Sequence, residues 1–134
     1  MQTVLIIALS LHVLSSVFWA GSSFTLARTG GLGGEKLLIP QIGAATVAIV
    51  TGATLWRLVH EGSFALSEQI LAGGAVAALA AVAVQIIVGG GAIRQLRSDA
   101  RDTSAARSRL AIAQRIAAGL LAITALCMGA ARYA

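Results

Sequence analysis

The chain has 134 residues, 57% of them hydrophobic and only 11% charged, with a mean hydropathy of +0.86; a soluble domain carries about 25% charged residues, so lipid is the expected solvent and there is room for one helical domain and no separate soluble one. The net charge of +5 would raise nucleic acid as a partner in a soluble protein, but here the basic residues flank apolar stretches with no interleaved aromatic patch, so no nucleic acid is expected and anionic lipid headgroups are the simpler counter-charge. A single cysteine, Cys127, excludes an internal disulfide and any multi-cysteine metal cluster.

Four stretches without Asp, Glu, Lys or Arg, at 2–27, 37–56, 69–93 and 116–131, are separated by three short polar loops. A helix needs roughly 20 apolar residues to cross the hydrocarbon core. Three stretches reach that length, and the fourth does so if Arg115 and Arg132 extend to the two interfaces. The expected fold is all-α: an integral membrane four-helix bundle, one domain over residues 1–134, with helices at about 2–28, 37–60, 67–97 and 104–132.

The first stretch ends in small residues like a signal peptide. It lacks a basic residue ahead of its apolar run, and that run is longer than a signal core, so a retained helix is expected. Thr29 to Gly34 reads as a flexible turn. Pro40 falls near the start of the second helix, where its missing N–H costs little. Gly62 and Ser63 mark a short outer loop. The third helix starts near Ser67 and runs past the membrane to Arg97. Asp102, Thr103 and Ser104 offer N-caps for the fourth, whose first turns, Ala105 to Arg115, are amphipathic. Small residues at spacing four, Ala44, Ala48 and Gly52 on one helix and Gly73, Ala77 and Ala81 on the next, point to close helix packing, a homo-oligomer or contact with other membrane subunits.

Eight basic residues, Arg28, Lys36, Arg94, Arg97, Arg101, Arg107, Arg109 and Arg115, fall in or beside the first and third loops, against Arg57 and Arg132 elsewhere. The positive-inside rule therefore places those loops in the cytoplasm and both termini on the periplasmic side of a bacterial inner membrane. Both hairpins then start outside, so the halves are parallel and not the inverted repeat of many transporters.

No Asp or Glu lies inside a span, which argues against a proton-coupled carrier. Small four-helix multidrug exporters share this size and architecture but rely on a glutamate in the first helix, absent here. His12 is the one ionisable group deep in a span, roughly 15 Å from Gln2 by helix rise. Ser16, Trp19 and Ser23 share its face. Such a polar stripe should face protein, cofactor or water. Three readings are open for His12: a hydrogen bond to a neighbouring helix, an axial ligand to haem or another tetrapyrrole, or a copper or other metal ligand.

His60 sits one turn beyond Trp56 near the outer end of the second helix, an interface position on the order of 10–15 Å from the depth of His12. One iron held by both imidazoles is therefore not expected. Trp56 and Tyr133 fit an outer aromatic belt. Cys127 and Met128 carry soft donors suited to Cu(I), but adjacent residues diverge on a helix, so a packing pair is the simpler reading. Gln85 reads as an interhelical hydrogen-bond partner.

The run Leu11-His12-Val13-Leu14-Ser15-Ser16-Val17-Phe18-Trp19-Ala20-Gly21 resembles the first helix of CopD-like copper-resistance membrane proteins, with a His, a Trp seven residues on, and then glycine. It is similar, more weakly, to the haem-binding HemJ-like proteins. Thr51-Gly52 followed by Leu55 is loosely similar to the next CopD helix. His12, Trp19 and Gly21 carry over residue by residue, and Ser22 stands where a second glycine is usual. The resemblance implies a small inner-membrane protein that binds haem b or copper through His12, with Trp19 and Gly21 beside the cofactor; His60 is the second candidate metal ligand. The alternative expectation is a non-catalytic accessory subunit of a larger respiratory or photosynthetic membrane complex.

Overall fold

The computed structural model describes residues 1–60, 62, 64–98 and 103–134. Four helices are long and apolar enough to cross a membrane: α1 (Gln2–Arg28), α2 (Gly34–Val59), α3 (Leu66–Ser98) and α4 (Ser104–Ala131). No strand occurs among the described residues. The chain is a multi-pass, four-helix membrane protein. Its outer surface is apolar, as a lipid environment requires: Val17, Ile39, Val76, Ile87 and Leu126 all project outward.

Two antiparallel hairpins, α1–α2 and α3–α4, make the bundle, and α1 packs against α4 to join them. The core is built of small residues. Ala45, Ala48, Ala81 and Ala117 surround Trp19 and Leu121. A second cluster of Leu38, Ala92, Ile93 and Leu110 closes the end that carries most of the arginines, here called the basic end. Alanine and glycine let backbones approach closely, which supplies the packing that the hydrophobic effect cannot drive in lipid.

The α3 ridge against α4 runs Gly74, Ala77, Ala81, not from Gly73 as the spacing suggested. A Cβ on Gly74 would stand 2.9 Å from the Cβ of Cys127, whereas one on Gly73 would meet nothing within 4 Å. Thr124 Oγ1 donates to the Gly74 carbonyl at 2.9 Å across the same contact. Of the small residues on α2, Ala45 and Ala48 are buried and Ala44 and Gly52 are half-buried.

The α1–α2 turn forms where glycine permits it. Gly30, Gly31 and Gly33 have φ of 67°, 84° and 85°, and the Gly31 N–H bonds back to the Leu26 carbonyl, a Schellman-type closure. Helix α2 therefore starts three residues before the expected 37, and Pro40 lies in its interior, two turns from the start. Proline there removes one backbone bond. Thr103 takes the N-cap position of α4 but makes no side-chain cap bond; Asp102, the other proposed cap, lies outside the described residues, as do Ser63 and Arg101 of the loops. Within α3, Gln85–Gly89 is a π-helical turn. It keeps Ala81, Gln85, Gly89 and Ala92 inward along one helix.

Candidate functional site

The hairpins are joined unevenly. At the basic end, α2 meets the second half of α3. Towards the opposite end, α2 and α3 barely touch. There the hairpins part around a half-open cavity of about 760 Å³ that all four helices line. Ligand pockets typically span about 300–1,000 Å³. Its walls are almost entirely apolar, with His12, Trp19, Trp56, His60 and Met128 among them.

Beneath the cavity a clasp of uncharged polar side chains ties all four helices. The buried Trp19 Nε1 donates to Gln85 Oε1 at 2.7 Å. Gln85 Nε2 donates to Ser23 Oγ at 2.8 Å and to Gln114 Oε1 at 3.0 Å. Gln114 Nε2 donates to Gln41 Oε1 at 3.0 Å, and Gln41 Nε2 reaches Ser22 Oγ at 3.1 Å. Gln41, Gln85 and Gln114 are fully buried. The side-chain amides of the clasp find complementary partners in one another and in the Trp19, Ser22 and Ser23 side chains, as groups sealed from water must. Gln85 opens the π turn, and such turns frequently accompany functional sites.

Above this floor, His12 leans against α2. Its Nδ1 lies 2.8 Å from the Ala48 carbonyl and 3.2 Å from Thr51 Oγ1. A carbonyl only accepts, so Nδ1 carries a proton, and in the neutral imidazole the lone pair falls on Nε2. No hydrogen bond to Nε2 is formed by a protein group among the described residues, and His12 lines the cavity. Gly52 makes this pose possible: a Cβ there would stand 3.0 Å from His12 Cε1. On α2, Thr51 and Gly52 stand against the His12 ring, and Gly52 and Leu55 are among the residues that line the cavity.

His60 ends α2 and is tucked into the wall instead of standing free at the interface. Its ring stacks on Trp56, centroids 4.9 Å apart. Nε2 lies 3.7 Å from Glu68 Oε1, too far for a hydrogen bond. The other Glu68 oxygen accepts from Ser67 Oγ at 2.9 Å. The buried Nδ1 has no hydrogen-bond partner.

Of the residues singled out on sequence, His12, Trp19, Ser16 and His60 all line the cavity. Gly21 does not: it is exposed, with nothing within 4 Å of the position a Cβ would take. His12 and His60 do not converge. His60 lies nine residues beyond Thr51, which contacts His12, so about 13 Å of helix rise separates them. Cys127 packs on Gly74, while Met128 faces the cavity. Among the described residues no three His, Cys, Asp or Glu side chains could share a metal ion. A metal or cofactor held at this site would have His12 as its imidazole donor, with His60 too far along α2 to share it.

Gln41 and Gln114 escaped the sequence reading because both lie near stretch ends, beside Pro40 and Arg115. The available signal was spacing: Leu110, Gln114, Ala117, Leu121 and Thr124 trace one helical stripe, and that stripe is buried. No family model matches the chain, and neither a curated protein nor a solved structure does.

Proposed function

We propose that this chain is a small inner-membrane protein of CopD-like type that holds a planar, largely apolar cofactor between its two hairpins, with His12 Nε2 as the ligating atom and haem b as the group the site suits best. The observation that carries the reading is the imidazole itself. Ala48 fixes its tautomer and orientation from behind, as backbone carbonyls do for ligating histidines, and the opposite nitrogen is left to an apolar cavity of about 760 Å³. Trp19 and Trp56 supply flat surfaces against which a macrocycle can lie. A haem held there supplies one-electron chemistry. The protein's part would be to orient the His12 nitrogen through the Ala48 carbonyl and to surround the group with apolar walls. The basic end faces the cytoplasm in this reading, with both termini periplasmic.

A second reading, an accessory subunit of a larger membrane complex, is favoured by the exterior. Gly21, Gly43, Gly73, Gly119 and Gly129 all face outward with open space beside them, the kind of surface on which another helix packs closely.

The test is the absorption spectrum and metal content of gently solubilised, size-fractionated protein, with His12→Ala and His60→Ala beside the parent. The expected result is near-stoichiometric haem in the parent and in His60→Ala, and none in His12→Ala, with all three inserted equally. Colourless protein migrating with a large assembly overturns the cofactor reading in favour of the subunit. Haem retained in His12→Ala removes the ligand assignment.

A further inference from the structure

The cations at the basic end are not equivalent. Arg107 pairs with Glu35 through Nη2 and Oε1 at 2.6 Å and also donates to the Gly31 carbonyl. Arg109 donates to Gln95 Oε1. Arg28 and Arg115 have no carboxylate partner among the described residues. The Arg28 guanidinium lies 5.9 Å from the Phe24 ring centroid. Arg115 makes one long bond from Nε to the Ala27 carbonyl, at 3.4 Å. That bond holds Arg115 against α1 at the residue before Arg28, so both arginines sit on the α1–α4 seam.

Both border an open groove of about 420 Å³. Its remaining lining is apolar and small: Phe24 from α1, and Ala118, Gly119 and Ala122 from α4. These three α4 residues lie one to two turns further into the bundle than Arg115, so the groove has cationic rims at the membrane surface and a shallow apolar channel running inward. Open space lies beside Gly119, where a Cβ would meet nothing within 4 Å. Charge sits where a headgroup would be, and apolar surface where a chain would follow.

We propose that this groove is a binding site for an anionic phospholipid. The phosphodiester is bridged by the Arg28 and Arg115 guanidiniums, whose planar donor forks match phosphate oxygens, and one acyl chain lies over Phe24, Ala118, Gly119 and Ala122. Basic pockets between membrane helices recognise anionic headgroups in this way. The groove shares no lining residue with the histidine cavity and does not depend on what that cavity holds.

The experiment is native mass spectrometry of the full chain in mild detergent, titrated with phosphatidylglycerol or phosphatidylcholine. Phosphatidylglycerol is expected to bind about thirtyfold more tightly, some fivefold for each guanidinium. The double variant Arg28→Gln/Arg115→Gln removes the preference. Gly119→Leu, which leaves both charges, weakens phosphatidylglycerol binding by blocking the chain. Unchanged size-exclusion profile and tryptophan emission establish that each variant is folded. Equal binding of the two lipids by the parent overturns the proposal, as does an unaltered preference in the double variant. Inorganic phosphate at millimolar concentration should fail to displace the lipid; full displacement, with Gly119→Leu binding like the parent, reduces the groove to a simple anion site and overturns the lipid assignment.

Discussion

Gln85→Leu is the most direct trial of the polar clasp. The change deletes three interhelical hydrogen bonds, from the Trp19 indole and to Ser23 and Gln114. Hydrogen bonds between membrane helices average about 0.6 kcal/mol, with a maximum near 1.7, so the bonds alone suggest about 2 kcal/mol. The consequences differ among the partners. Ser23 still donates to the Trp19 carbonyl and accepts from Gln41. Gln114 Oε1 keeps the Gln41 amide. Only the Trp19 N–H loses its one acceptor, and a buried donor left unpaired costs about 1–3 kcal/mol. Because these terms overlap, the expected loss is about 2–4 kcal/mol, read by steric trapping or denaturing-detergent titration. Gln69→Leu, at an exposed site, should change stability by less than about 0.5 kcal/mol. A double-mutant cycle with Trp19→Phe should show the two changes falling short of additivity by about 1 kcal/mol, since they break the same bond. A Gln85→Leu protein within about 0.5 kcal/mol of the parent would show that the clasp contributes nothing net, and the reasoning would fail.

Three further outcomes follow from the geometry. Gly52→Ala puts a Cβ 3.0 Å from His12 Cε1 and should displace the ring, changing the imidazole ¹⁵N signature of an Nδ1–H tautomer; Gly21→Ala should leave it untouched, and identical spectra for both variants would refute the tight fit on α2. Gly74→Ala forces a Cβ to 2.9 Å from Cys127 and should cost about 1–3 kcal/mol as overpacking, while Gly73→Ala should be near neutral in the same unfolding assay. With Cys127→Ala as background, cysteines introduced for the exposed residues Lys36 and Ser108 should react with a membrane-impermeant maleimide only after the cytoplasmic face is opened; labelling in intact cells would reverse the orientation.

Legibility followed the physics of each feature. The four spans could be read because exclusion of charge from hydrocarbon is absolute enough to mark them, and α1 ends at Arg28 as the sequence suggests. The start of α2 could not, because Gly33 and Gly34 look like loop in a sequence while Gly34 is held in the helix by its fit against Leu110. Helix phase was legible only approximately: Gly73 and Gly74 are adjacent, and only packing decides which one meets Cys127. His12 and Gln85 stood out as lone polar groups in long apolar runs. Gln41 and Gln114 did not, because polar residues near span ends are unremarkable until the fold buries them. The contact between His12 and Ala48 is a relation between two helices, which no one-dimensional pattern contains.

The clasp and the cavity are two consequences of one arrangement. Neutral amides can bond on every side without the desolvation cost of a buried ion pair, so Gln41, Gln85 and Gln114 hold all four helices at one depth without charge. With the hairpins fixed there and at the basic end, α2 and α3 make few contacts over the opposite half, and His60 approaches Glu68 to 3.7 Å where the two helices meet again. The opening thus costs the bundle none of its polar bonds. It also brings Trp19 into two roles, since its N–H belongs to the clasp while its ring floors the cavity. A ligand resting on that ring would press on the member of the clasp that Gln85 alone satisfies. Occupancy of the cavity and stability of the bundle should therefore be coupled through Trp19, with a ligand that binds only the folded state raising stability as its concentration exceeds its Kd.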